Sequence, residues 1–307
     1  MAGILNRHRG ARIVAAFLSI MAFGACVSAR KTVTGGANAG EAVNEEPKYQ
    51  GTVELKLKPN QTNVEKVSYT HRSRSTSFED IEVRHQKEES LDFVSSASVA
   101  KVDGDRFTQL ISIDKKEGAG NLHDFAMPEK GERLELTSDS RGRVLRAGDY
   151  PPNSIFFVPP ISLPEGTVAV GDTWALTAHW LSLEEMVPYQ LDMASILKNV
   201  KSCGAHKCAE IEISGEVTLQ GPLVQMMSFK SLWKGFLTFD IDAGTVLWSR
   251  VDSEEQFMSG NVRRSVTSCL EAALLEPAGL KVAARTAKPC EVLSNPGDIA
   301  PRPGSMK

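Results

Sequence analysis

The chain has 307 residues, 41% of them hydrophobic and 24% charged, with 35 Lys and Arg against 38 Asp and Glu. That is enough apolar material for a body with its own core. The acidic balance, with no concentrated basic patch, argues against nucleic acid as a partner.

Residues 1–25 read as a signal peptide. Arg7, Arg9 and Arg12 make a positive start, Ile13 to Ala25 is apolar but too short and too rich in small residues for a full membrane span, and Cys26 follows Gly24-Ala25. Setting these residues aside removes three basic and no acidic side chains, so 32 stand against 38 and the charge moves from −3 to −6. The stretch before Cys26 resembles the lipobox of bacterial lipoproteins, with Phe23 where Leu is usual. The resemblance implies lipidation of Cys26, palmitate included, and a membrane as partner through that anchor. Two or more acyl chains give stable attachment where one does not. Val27, where an Asp would resemble an inner-membrane retention signal, points to the periplasmic face of the outer membrane or the cell surface. Residues 26–48 are small, polar and without apolar periodicity, and read as a flexible tether.

From Gln50 onward the apolar residues recur with period two, which predicts a mainly β fold: a large antiparallel meander forming a curved sheet, half-barrel or sandwich, with few short helices. An N-terminal β region is expected over 49–149, as one β domain or as the first of two. In it Val53, Leu55 and Leu57 alternate with charges, Val67, Tyr69 and His71 share a face, and Leu91, Phe93, Ser95, Ala97 and Val99 share another. Asp103-Gly104-Asp105 and Ser138 to Gly142 are turns, and 115–130 is a loop. Residues 150–171 hold five prolines, so this segment cannot run through the centre of a sheet and is expected as a crossover that covers its own Ile155 to Val158. A C-terminal β region follows over 172–294. Trp174, Leu176, Ala178 and Trp180 form a period-two stripe, and Trp233, Phe239, Ile241, Val246 and Trp248 a similar face around the turn Asp242-Ala243-Gly244. Short helices are expected over 183–186, 193–198 and, most strongly, 268–275 near Pro277; 295–307 read as a disordered tail.

Four cysteines follow Cys26. In an exported chain an even number reads as disulfides, with Cys203–Cys208 clamping a hairpin end and Cys269–Cys290 tying the C-terminal arm.

At its centre the chain resembles an uncharacterised group of bacterial secreted proteins and lipoproteins that share Leu-Pro-x-Gly-x-Val-x-Val-Gly-Asp-x-Trp, spanning Leu163 to Trp174, followed by the late turn Phe239 to Gly244. The resemblance implies no activity. Physically, Gly171-Asp172 is a tight turn that sets Trp174 at the start of a core strand.

No residue pattern specifies catalysis, a metal or a cofactor. His71 and His85, with Glu65 or Glu89, are weighed as a metal set and read as solvated strand residues; Asp240 and Asp242 fail as a calcium loop because Val251 stands where its closing Glu belongs. Histidines such as His123 and His179 have no serine and acid that the sequence singles out. The expected function is therefore a non-enzymatic cell-envelope lipoprotein that binds a lipid or envelope protein through an apolar sheet face, with Trp174, Trp180, Trp233, Trp248, Phe156 and Phe157 as ligand-binding side chains. The alternatives are a secreted hydrolase with a site under loops 115–130 and 150–171, or a purely structural or protein-interaction domain.

Overall fold

The structure is a computed structural model and describes residues 49–79, 82–159, 161–182, 186–275 and 290. The signal, the tether and the tail lie outside the described residues. The strands are β1 (Thr52–Glu54), β2 (Glu65–Glu79), β3 (Glu82–Asp103), β4 (Arg106–Gly118), β5 (Arg133–Asp139), β6 (Val144–Ala147), β7 (Thr167–Ala169), β8 (Thr173–Leu181), β9 (Pro188–Cys203), β10 (His206–Leu219), β11 (Met227–Asp240), β12 (Thr245–Ser259) and β13 (Val262–Leu275). Eleven of them form one sheet in the order β6-β5-β4-β3-β2-β13-β12-β11-β10-β9-β8, and β1 pairs with β7 in a separate ribbon. Every ladder is antiparallel, and β2 pairs with β13, so the two expected β regions meet in a single sheet. Its edges, β6 and β8, are not hydrogen-bonded to each other, and the sheet is open.

The sheet is nonetheless strongly curled. Laid flat, ten strand spacings would separate its edges by roughly 48 Å, yet the 3-10 turn Ile155–Phe157 packs against both β6 and β8. A second measure comes from the opposite end. Leu57 N–H donates to Ser140 O in the β5–β6 turn at 2.8 Å, and the next residue, Lys58, donates to Gly244 O in the β11–β12 turn at 3.0 Å. Those turns lie six strands apart, about 29 Å along a flat sheet. Adjacent residues reach both only because the sheet bends around them.

The alternation read from the sequence sets the two faces. Tyr69, Phe93, Ile111, Leu136, Leu191, Leu197, Ile211 and Leu237 point inward and are buried. Three stretches cover them: 49–58, the loop after β4, and the proline-rich crossover, which buries Phe156, Val158, Ile161 and Leu163. On the convex face Arg72 holds both oxygens of Asp92 at 3.0 Å, and Arg74–Glu88, Lys198–Glu212 and Lys230–Glu216 bridge neighbouring strands, while Thr267, Cys269 and Ala273 of β13 are buried. The curled, open sheet forms a half-barrel. No helix of the described residues is long and apolar enough to cross a membrane.

The motif around Gly171 is a turn, as expected. Gly171 has φ +99°, Asp172 Oδ2 accepts from Ala169 N–H at 2.8 Å, and Trp174 opens the core-facing register of β8. Both disulfides form as paired from the sequence. Cys269 faces outward, so its bridge holds Cys290 against the convex side.

Two expected helices are strands. Residues 193–198 belong to β9, and 268–275 to β13, where pairing with β2 and β12 on both sides outweighs the helix propensity of Glu271, Ala272, Ala273 and Leu274. Residues 183–185 lie outside the described set.

Candidate functional site

The ends of the half-barrel differ. At the base the covering segment 49–58 is fastened to hairpin turns; Arg141 Nη1 donates to Leu55 O at 2.8 Å, and Lys58 Nζ to Asp242 O at 2.9 Å. At the mouth lie the β2–β3, β8–β9, β10–β11 and β12–β13 turns. There the inward face changes character. On β2 the sequence of inward residues passes from Val67 and Tyr69 to His71, Ser73 and Ser75; on β13 from Leu270 to Ser268 and Arg264; on β12 from Val251 to Ser253 and Glu255.

These side chains line a cavity of ≈ 50 Å³ roofed by the loop after β4. The loop turns inward at Gly118, where φ is +93° and a Cβ would meet Ser90 O at 2.1 Å. It then forms a 3-10 turn, Leu122–Phe125, capped by Asn121 Oδ1 on His123 N–H. Glu129 fastens it by accepting from Leu122 N–H and Lys116 Nζ, both at 2.6 Å. Burial opposes ionisation of Glu129, but those donors together hold its pKa below the ordinary carboxyl value. Phe125 packs edge-on against His71 and Phe93, while Asp124 faces the cavity.

Glu255 is the buried carboxyl of the cavity wall. It is 6% exposed, with Ser231 and Val266 opposite it on β11 and β13. Burial pushes its pKa well above the ordinary carboxyl value, Arg264 opposes that shift and Asp124 adds to it. The neighbouring hydroxyls of Ser253 and Ser268 bond each other at 2.6 Å.

The six side chains expected to bind a ligand do not converge. Trp180 and Trp233 are 3% exposed and belong to the packed core, where Trp180 stacks on Tyr189 and Trp233 Nε1–H donates to Ser231 Oγ. Trp174 lies at the β8 edge and donates to Ser162 O at 2.8 Å. Trp248 is on the convex face, donating to Glu271 Oε1 at 3.0 Å; the expectation that it shares a face with Trp233 fails because a bulge at Thr238/Phe239 shifts the register. Phe156 is covered by Tyr150, stacked at 3.7 Å, and Phe157 is half-buried beside it.

His71 and Glu89 both line the mouth cavity, but His85 sits farther along the strand, at the exposed rim opposite Ser77. Among the described residues no three metal-ligating side chains gather. Asp240 and Asp242 are turn residues: Asp240 pairs with His206 Nδ1 at 2.6 Å and accepts from Ala243 N–H, and Asp242 accepts from Lys207 N–H. His123 uses one nitrogen, Nε2, for both Glu132 and Tyr150, so it cannot relay a proton between them through two ring positions.

Glu255 is missed when hydropathy read alone makes 252–257 a charged strand face, and no motif in the sequence singles out Arg264 or Asp124. The signal was present. Counting in twos from Val251 places Ser253 and Glu255 on the core side.

No family model matches the chain, and no curated protein matches it. Among solved structures it is similar to the hypothetical lipoprotein YmcC from Escherichia coli, at 12% identity and TM-score 0.27 over 68% of this chain and 85% of that one. It is also similar to a mutant Rh. blastica porin, at 7% identity and TM-score 0.25 over 68% and 100%. An outer membrane channel from Pseudomonas putida F1 gives 8% identity and TM-score 0.21 over 76% and 100%. Scores this low carry no functional argument.

Proposed function

We propose that this is a non-enzymatic, lipid-anchored envelope protein that takes up an amphiphile at the mouth of its half-barrel. The observation that carries the reading is the combination found there. A buried polar cavity lies beneath a rim where Val83, Met186, Val224, Met226, Met258 and Val262, at the four hairpin tips, are 42–68% exposed. Apolar side chains gathered at one end favour contact with a lipid or apolar surface, and a polar interior beneath them suits the headgroup of the same molecule. The signal-like start and Cys26 support an envelope location. The apolar inner face expected to bind a lipid is occupied by the chain's own Leu55, Leu57, Phe156 and Ile161, which moves the proposed site to the mouth.

The test is flotation of the purified chain, without its lipid, on phosphatidylethanolamine–phosphatidylglycerol vesicles. Flotation that is lost in the Met226→Asp/Met258→Asp variant supports the reading. A wild-type protein that neither floats nor yields bound amphiphile on solvent extraction overturns it. The anchor is tested separately by fatty-acid labelling: label retained in Cys26→Ala refutes it.

A further inference from the structure

We infer that the mouth cavity is a subsite for an uncharged vicinal diol, the end of a glycerol headgroup, on an amphiphile whose apolar chain leaves by the rim. The inference deepens the amphiphile reading and rests on it.

The charged side chains of the wall do not choose the ligand, because the protein already engages them. Glu89 is ion-paired with Lys87, His71 meets the ring of Phe125 edge-on, and Arg264 and Asp124 have partners of their own. What the wall leaves over is a set of hydrogen-bonding groups. Ser73 and Glu255 are each more than nine-tenths buried and line the cavity, and neither side chain makes a hydrogen bond to a described residue. Ser75 lines it in the same state. Asn121 uses its Oδ1 to cap the His123 N–H, so its Nδ2 amide is a donor without an acceptor among the described residues. The strand register gathers these groups. Glu255, Val266 and Ser75 stand in one row across β12, β13 and β2, and Ser73 is one inward step from Ser75.

The leftover groups include donors and acceptors together, and that selects the ligand. A hydroxyl both donates and accepts, so it answers the serines, the amide and the carboxyl in either protonation state. An ammonium only donates and leaves the Asn121 amide unmet. A carboxylate or phosphate only accepts, and it would set its charge beside Glu255 and Asp124. Size narrows the choice further. A space of ≈ 50 Å³ holds about three or four water-sized groups, which matches a –CH(OH)–CH₂OH end and is too small for a hexose ring. Leu91, Phe125 and Val266 supply apolar contact for its carbon atoms.

The experiment is calorimetric titration of the purified chain, without its lipid, at pH 7. The ligands are 1-O-octylglycerol, 3-octyloxypropan-1-ol, which lacks one hydroxyl, octylammonium and octanoate. Octylglycerol is expected to bind at least about tenfold more tightly than the other three, the factor that follows when a buried group is left without its hydrogen bond. In Ser73→Ala/Ser75→Ala, where neither hydroxyl has a protein partner to lose, octylglycerol is expected to fall to the level of the single alcohol. Glu255→Gln keeps a donor and an acceptor and is expected to retain the preference for the diol. The single alcohol or either charged ligand binding as tightly as octylglycerol overturns the diol subsite and leaves the amphiphile reading standing. So does a serine variant that binds octylglycerol like wild type, or a Glu255→Gln variant that loses the preference. Absence of binding by all four ligands overturns both readings. Octyl phosphoglycerol, which carries the same diol on a phosphodiester, identifies the source: affinity equal to that of octylglycerol assigns phosphatidylglycerol, weaker binding assigns a neutral glyceride, and both uphold the diol. The wild-type ranking alone decides the matter if a variant fails to fold.

Discussion

Glu65 offers a direct test of how the inner face treats charge. It is 5% exposed at the start of β2, and burial pushes its pKa up from 4.5 to about 10. At pH 7 the folded chain thus holds a proton on Glu65 that the unfolded chain has released. Keeping that proton across 2.5 pH units costs about 3 kcal/mol at roughly 1.4 kcal/mol per unit. Glu65→Gln removes the cost and substitutes a buried amide, whose desolvation takes back ~1–2 kcal/mol. The variant is expected to be more stable than wild type by ~1–2 kcal/mol at pH 7. The sign depends on pH. Between 4.5 and about 10 the folded state binds the extra proton, so wild-type stability falls as pH rises through this window, and below 4.5 the contribution is fully retained. Glu65→Gln is therefore expected to be less stable than wild type near pH 4, level with it near about pH 5.5, and increasingly more stable up to pH 8. Glu255 shifts in the same direction but is common to both proteins and cancels in the difference. Urea midpoints at pH 4, 5.5, 7 and 8 measure the effect. A variant that is less stable than wild type by the same margin at every pH would show that Glu65 is ionised in the fold, and the account of the inner face would be wrong.

Two further perturbations probe the framework. Removing Cys269–Cys290, which closes 21 residues, is expected to cost ~3 kcal/mol, against ~2 kcal/mol or less for Cys203–Cys208 across a hairpin of sequence separation 5; thermal unfolding of the two double-serine variants ranks them, and a larger loss at 203–208 refutes the chain-entropy argument. Gly244→Ala is expected to cost ~2 kcal/mol or more, since φ is +69° and the new Cβ would lie 2.6 Å from Lys56 O and Lys58 N. Gly260→Ala, at φ +59° in open space, is its control and is expected to cost ~1 kcal/mol; equal urea midpoints would show that segment 49–58 does not press on the β11–β12 turn.

Much of the sheet is legible in the sequence because alternation is a local property. Trp174, Leu176, Ala178 and Trp180 face inward as their spacing requires, and the Asp-Gly, Ser-Asp and Asp-Ala-Gly turns lie where strands end. What failed needed information from partner strands. Residues 268–275 are helical by propensity, and only the ladders to β2 and β12 make them a strand. The face of Trp248 depends on a bulge at Leu247, where two steps of β12 match one of β11, and a strict period of two carried from Val246 places Trp248 on the wrong side. The curl was expected only in outline. Its extent follows from contacts between residues as distant as Leu57, Ser140 and Gly244. The site was hidden for a different reason: alternation continues through Ser73, Ser75, Ser253 and Glu255, but polar residues at core-facing positions look like a second solvent face when hydropathy is read alone.

That polar stretch is where stability and the proposed binding role separate. Each apolar side chain buried at the base contributes ~1.5–3 kcal/mol, and Leu55, Leu57, Tyr69 and Leu237 supply that contribution where segment 49–58 and the crossover close over them. At the mouth the same strands turn serines, a histidine and the buried Glu255 inward, and a carboxyl whose pKa burial raises costs stability rather than adding it once pH passes the ordinary carboxyl range. A sheet curled only to bury its own face would gain from apolar residues at these positions. An unfavourable local choice in a fold otherwise consistent from turn to core is the physical mark expected of a functional site. The roof reinforces the argument, because its apolar side, Leu122, Phe125 and Met127, is packed while Asp124 lines the cavity, where its charge opposes ionisation of Glu255.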